Sequence, residues 1–119
     1  MIEYFHTFEE LLLNFSEDFQ REYGEKKSRE IHSQVQTSKA VTSLMNDAIS
    51  RNFFPNGRTI CECLMSSRHF MFSKKPIIMA AGIFTLIRFM EECKLKGISY
   101  DQEKYLESAK SVIYHCRKM

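Results

Sequence analysis

Apolar residues recur at every third or fourth position along most of this chain, the period of an α-helix and not the alternation of a strand. The first such stretch puts Phe8, Leu11, Leu12, Phe15, Phe19 and Tyr23 on one side of a helix over about Phe8–Tyr23. Glu9, Glu10, Glu17 and Arg21 turn away from that side. Spacing from Phe5 to Phe19 also resembles a heptad seam, but it is too short for a coiled coil. Gly24 is a natural stop, because glycine tolerates the left-handed cap conformation. A second helix is predicted from about Ser28 to Asn52. Its first half, His32–Lys39, is polar and is expected on the surface or beyond the core, whereas Val41, Met45, Ala48 and Ile49 give the second half an apolar face. Phe53-Phe54-Pro55-Asn56-Gly57 ends it, since proline cannot continue a helix and Asn-Gly suits a turn.

The third predicted helix runs from about Ile60 to Phe72. One face holds Ile60, Cys63, Leu64, Ser67, Phe70 and Met71, and a second stripe holds Cys61, Met65 and Phe72 with Arg68 among them. The fourth starts at Pro76, which a first helical turn accepts, and closes at Gly97. Between Ile77 and Ile87 its apolar residues point in every direction, so this helix belongs at the centre of the fold. The fifth, from Tyr100 to about Arg117, has one clean face of Tyr105, Leu106, Ala109, Val112, Ile113 and Cys116. Three matches to the capping-box pattern mark helix starts: Thr7–Glu10, Thr59–Glu62 and Ser99–Gln102. The expected architecture is all-α: a compact bundle of about five helices in a single domain over residues 1–119, with a central apolar helix near residues 76–95.

Composition sharpens this picture. Four glycines and two prolines in 119 residues leave few turns, and ten phenylalanines with seven methionines supply a large apolar content. The formal charge of +2 is too small to imply a nucleic-acid or membrane partner by itself. Its distribution is uneven, with eight acidic and four basic groups in residues 1–30, against two acidic and six basic in residues 31–75. Residues 1–10 have no cationic region of a secretory leader, and the apolar run Ile77–Ile87 falls short of the ~20 residues that cross a bilayer. A cytoplasmic chain without a membrane partner is therefore expected, its four cysteines reduced and packed as small hydrophobes.

The sequence carries no catalytic or metal-binding pattern. Cys61-Glu62-Cys63 would place two thiols on nearly opposite sides of a helix, about 200° apart, so they cannot share an ion. His6, His32, His69 and His115 are scattered over different elements, and no sequence relation joins them to a nucleophile. Gly24, Gly57, Gly82 and Gly97 are isolated and form no phosphate-binding loop. The chain is expected to be a non-enzyme, with no catalytic residue, no cofactor and no metal.

Surplus apolar surface is the positive signal. Phe70-Met71-Phe72, Phe53-Phe54 and Tyr4-Phe5 bring more large side chains than one small core obviously needs. The leading expectation is a protein-binding or regulatory protein whose partner, a second copy or another chain, meets Phe53, Phe54, Met65, Arg68 and Phe72. Arginine set among aromatics is a frequent interface composition. The alternative is a nucleic-acid-binding regulator using Arg51, Arg58, Arg68, Lys74 and Lys75. Against it, the turn at residues 53–58 is long for a helix-turn-helix, and the following helix opens on Ile60-Cys-Glu-Cys-Leu64, which offers no base-reading side chain.

Overall fold

In the computed structural model, which describes residues 6–118, the period-3.6 pattern becomes six helices and no strand among the described residues. They are α1 (Phe8–Tyr23), α2 (Glu25–Thr37), α3 (Lys39–Arg51), α4 (Gly57–Ser66), α5 (Lys75–Lys96) and α6 (Gln102–Lys118). The all-α bundle with a central apolar helix is thus observed, with one helix more than expected. Tyr4 and Phe5 lie outside the described residues.

The additional helix comes from a break at Ser38. This residue adopts φ −68° and ψ 121°, leaving the helical region, and its Oγ accepts the Val41 N–H at 3.3 Å to cap α3. The same hydroxyl lies 3.2 Å from Ser67 Oγ, and both serines are buried. The break corrects the expectation of a polar first half on the surface. Freed from a straight path, α2 buries Ile31 and Val35 completely, and His32 stacks on Phe84 of α5 at 5.0 Å. Arg88 of α5 secures the joint, donating to the Val35 carbonyl at 3.1 Å and to Thr42 Oγ1 at 2.8 Å.

Helix ends follow local chemistry more often than the capping-box pattern. Thr7 caps α1 as expected, accepting the Glu10 N–H at 3.1 Å, while Glu10 reaches back to the His6 N–H. At α4 the cap is Asn56, whose Oδ1 accepts the Thr59 N–H at 2.9 Å. Thr59 is already inside the helix. At α6 Asp101 takes the role assigned to Ser99, accepting the Glu103 N–H at 2.9 Å. Gly97 ends α5 in the left-handed conformation. Gly24 has φ +89° and ψ 159°, not the left-handed helical cap but a backbone that strongly favours glycine, and α2 begins at the next residue. The fourth element stops at Ser66, six residues before the predicted end. Ser67 takes extended dihedrals, and its carbonyl accepts the N–H groups of Phe70 and Met71, so a tight turn replaces the last helical turns.

Packing explains why α5 is apolar all round. The helix pairs that touch form a closed ring, α6–α4–α3–α2–α1–α6, and α5 packs directly on α2, α4 and α6 inside it. Residues 80–86 of α5 are all buried. The ring is tightest where Gly57 of α4 and Gly82 of α5 meet Val112 of α6. A Cβ on Gly57 would lie 2.3 Å from the Val112 backbone nitrogen, and one on Gly82 would lie 2.6 Å from Val112 Cγ1. These contacts give the helix directions. Gly57 faces Val112 and Cys61 faces Cys116, so α4 and α6 run parallel, whereas Gly82 beside Val112 and Cys93 beside Tyr105 set α5 antiparallel to α6.

Candidate functional site

The helix directions gather the C-terminal end of α4, the turn that follows it, the start of α5 and the end of α6 at one end of the bundle. The five residues expected to meet a partner divide across the molecule. Phe54 turns inward, edge-on to Tyr105 at 4.6 Å and tilted against Phe89 at 6.3 Å, so it belongs to an aromatic core cluster. Phe53, 41% exposed, lines a cleft with Ile98 and Tyr100 beyond the N-terminal end of α4. Met65, Arg68 and Phe72 lie together in sequence at the opposite end of α4. Phe72 is 91% exposed, the most open large apolar side chain among the described residues, and Met71 and Met65 are also exposed. Because the chain is a turn here and not a helix, the expected apolar stripe breaks up: Phe70 drops into the core while its neighbours remain outside.

Beside this turn lies a groove of about 740 Å³ between α1, the start of α5 and the end of α6. Its apolar surface comes from Leu11, Phe15 and Phe19 of α1, Met79 of α5 and Ile113 of α6. On α1 the rings of Phe15, Phe19 and Tyr23 stack in succession, at 6.1 and 4.7 Å between centroids. Two walls carry opposite charge, with Asp18 and Glu22 on α1 facing a side formed by Lys75 and Arg117. Lys75 stands three residues after Phe72, so at most about 11 Å of chain separates their Cα atoms. Phe72 and the groove therefore share one end of the molecule. Sequence periodicity assigned Phe15, Phe19 and Tyr23 to the inner face of α1. Phe19 is covered as that assignment requires, but Phe15 is half-buried and Tyr23 is exposed, so part of the face opens on the groove, and a single helical wheel carries no sign of this.

The basic residues considered for nucleic acid are also divided. Arg51 pairs with Asp47 at 2.9 Å and Arg58 with Glu62 at 3.0 Å, both along their own helices. Arg68, Lys74 and Lys75 stand at the far end of α4, where Arg117 and Lys118 of α6 add to them. The Lys118 ammonium lies over the Tyr114 ring, 4.5 Å from its centroid.

Among the described residues, no three His, Cys, Asp or Glu side chains are grouped to hold a metal ion. The four cysteines are free thiols, and Cys61 and Cys116 meet across the α4–α6 seam with 3.8 Å between sulfurs. Contact with Cys116 and burial push the Cys61 thiol well above its ordinary range, while the hydrogen bond it provides draws the Cys116 thiol down. Burial also raises the Tyr105 hydroxyl, which donates to Cys93 Sγ at 3.8 Å. No helix among the described residues is long and apolar enough to cross a membrane. In comparison with known proteins, no family model, no curated protein and no solved structure gives a significant match to the chain.

Proposed function

We propose that this chain is a non-enzymatic protein-binding or regulatory protein of the cytoplasm, which docks its partner through the end of the bundle bearing Phe72 and the adjoining groove. The exposure of Phe72 carries the reading. A phenylalanine ring left open to water has lost the burial that would stabilise the fold by roughly 2 kcal/mol, and a partner pocket restores it. Arg68 and the neighbouring methionines supply the charged and adaptable surroundings common at interfaces. The groove accepts apolar anchors of the same partner, with acidic groups facing Lys75 and Arg117 and basic groups facing Asp18 and Glu22. Four free thiols accord with a reducing compartment.

The test is site-specific photo-crosslinking in the native host. A photoreactive phenylalanine at position 72 is expected to capture one defined protein, self or other, and Arg68→Glu is expected to abolish the adduct. Phe72→Asp should leave thermal stability unchanged, because the ring is outside the core. Capture no stronger than at position 17, on the polar face of α1, refutes the reading. Nucleic acid captured instead, with binding that falls steeply as salt rises, establishes the alternative through Arg68, Lys74 and Lys75.

A further inference from the structure

We propose that Cys61 and Cys116 are a modification site: a dithiol that peroxide oxidises to an intramolecular disulfide, covalently fastening α4 to α6 in a reversible step. The observation beneath this is the 3.8 Å contact between their sulfurs, in a chain whose four cysteines are all free. The seam that contains them brings the two backbones unusually close. Ser108 Oγ donates to the Pro55 carbonyl at 3.0 Å, and Val112 lies against Gly57 one turn later. Cys116 meets Cys61 another turn on. The two helices run in the same direction from the close approach that Gly57 allows, and one turn on the two sulfurs are in contact, as a disulfide between neighbouring backbones requires. Closing the bond takes a movement of less than about 2 Å from sulfur contact to the ~2.05 Å bond length.

The other thiols are placed differently. Cys93 meets the Tyr105 hydroxyl, and Cys63 leaves α4 on a different side from Cys61. Both thiols are buried, but Cys116 borders the large groove and Cys61 borders a small cleft between α4 and α6, so only a molecule as small as peroxide is suited to reach them, through local opening of these walls. The chemistry balances as follows. The Cys116 thiolate attacks one peroxide oxygen, the O–O bond breaks, and hydroxide leaves as water after taking a proton. The resulting Cys116 sulfenic acid is attacked by the Cys61 sulfur; the S–O bond breaks, and the second oxygen leaves as water with the Cys61 proton. Two thiols lose two electrons and peroxide becomes two waters. Thiol reductants reverse the product.

Intact protein should be treated with hydrogen peroxide, quenched with an alkylating agent and digested without reduction for mass spectrometry. The expected result is a Cys61–Cys116 cross-linked peptide, a melting temperature raised on the order of 10 °C, and reversal of both by dithiothreitol. Cys63→Ser and Cys93→Ser proteins should still form the link. In Cys61→Ser protein, Cys116 should instead accumulate as a sulfenic acid that dimedone traps. In denaturant the Cys61–Cys116 link should lose its preference over the other pairings of the four thiols. Alkylation of Cys61 and Cys116 as intact thiols while Cys63 oxidises overturns the proposal, as does a link found only between molecules. Because wild-type protein is the main sample, the outcome does not depend on a variant folding.

Discussion

Replacing Gly82 with alanine offers a sharp test of the three-helix junction at Val112. The new methyl would lie 2.6 Å from Val112 Cγ1, whereas carbon atoms pack favourably at about 3.5–4.0 Å, so one group must move by roughly 1 Å. Val112 is poorly suited to yield, being completely buried and β-branched. Overpacking of this kind costs about 1–3 kcal/mol, and the better helix propensity of alanine returns up to about 1 kcal/mol. The expected net loss is about 1–2 kcal/mol, which for a chain of this size lowers Tm by roughly 4–8 °C. Val112→Ala removes the obstructing methyls and itself costs about 2 kcal/mol. In the double variant the alanine at 82 fills part of that space, so the two costs should fall short of additivity by about 1–2 kcal/mol. Gly57→Ala behaves differently. Its Cβ would meet the Val112 nitrogen at 2.3 Å and the Ser111 carbonyl carbon at 2.4 Å, and shortening a side chain moves neither. Its cost should be at least 3 kcal/mol, with no relief from Val112→Ala. Denaturant unfolding of the five proteins and wild type completes both cycles. Gly82→Ala as stable as wild type, or Val112→Ala rescuing both glycine variants alike, refutes the geometry.

Two further outcomes follow from buried polar groups. Ser38→Ala removes the cap of α3 and one partner of the buried Ser67 hydroxyl, so a loss of about 1–2 kcal/mol is expected in equilibrium unfolding, against little change for the exposed Ser50→Ala. Tyr105 contributes to alkaline stability, alongside the Cys61 thiol: its folded-state pKa is raised above the ~10 of an unfolded tyrosine, so the unfolded chain releases this proton first. The stabilisation is complete below pH ~10 and declines as pH rises beyond it by up to about 1.4 kcal/mol per unit, and Tyr105→Phe should flatten that slope in urea titrations between pH 9 and ~11.

Much of the architecture is legible in the period of the apolar residues, and the remainder depends on partners far away in sequence. Helix α5 could be read almost to the residue, because Pro76 and Gly97 bracket a run that is apolar in every direction. The break at Ser38 could not. Ser33, Thr37, Ser38 and Thr42 all look alike to a propensity argument, and the deciding contact is with Ser67, 29 residues away. Asn56 was legible as a turn residue but not as a cap, since Thr59 with Glu62 matched the stronger pattern and only the path of the chain separates them. The interface expectation fared similarly. Phe72 and Met65 are exposed, but Phe54 found a home against Tyr105 that no local rule announces. The groove and the paired thiols were invisible for the same reason: each is assembled from helices that meet only in three dimensions.

The ring around α5 also bears on how the chain is made. The axis that the other helices enclose is fifth in order, so α1 to α4 leave the ribosome able to meet one another but without the central helix that covers their inner faces. At ~5–20 residues per second, synthesis of residues 75–118 takes about 2–9 s, during which those faces remain open to chaperones or to one another. A ribosome that pauses within α5 would lengthen that interval, making the rate of translation there a determinant of yield.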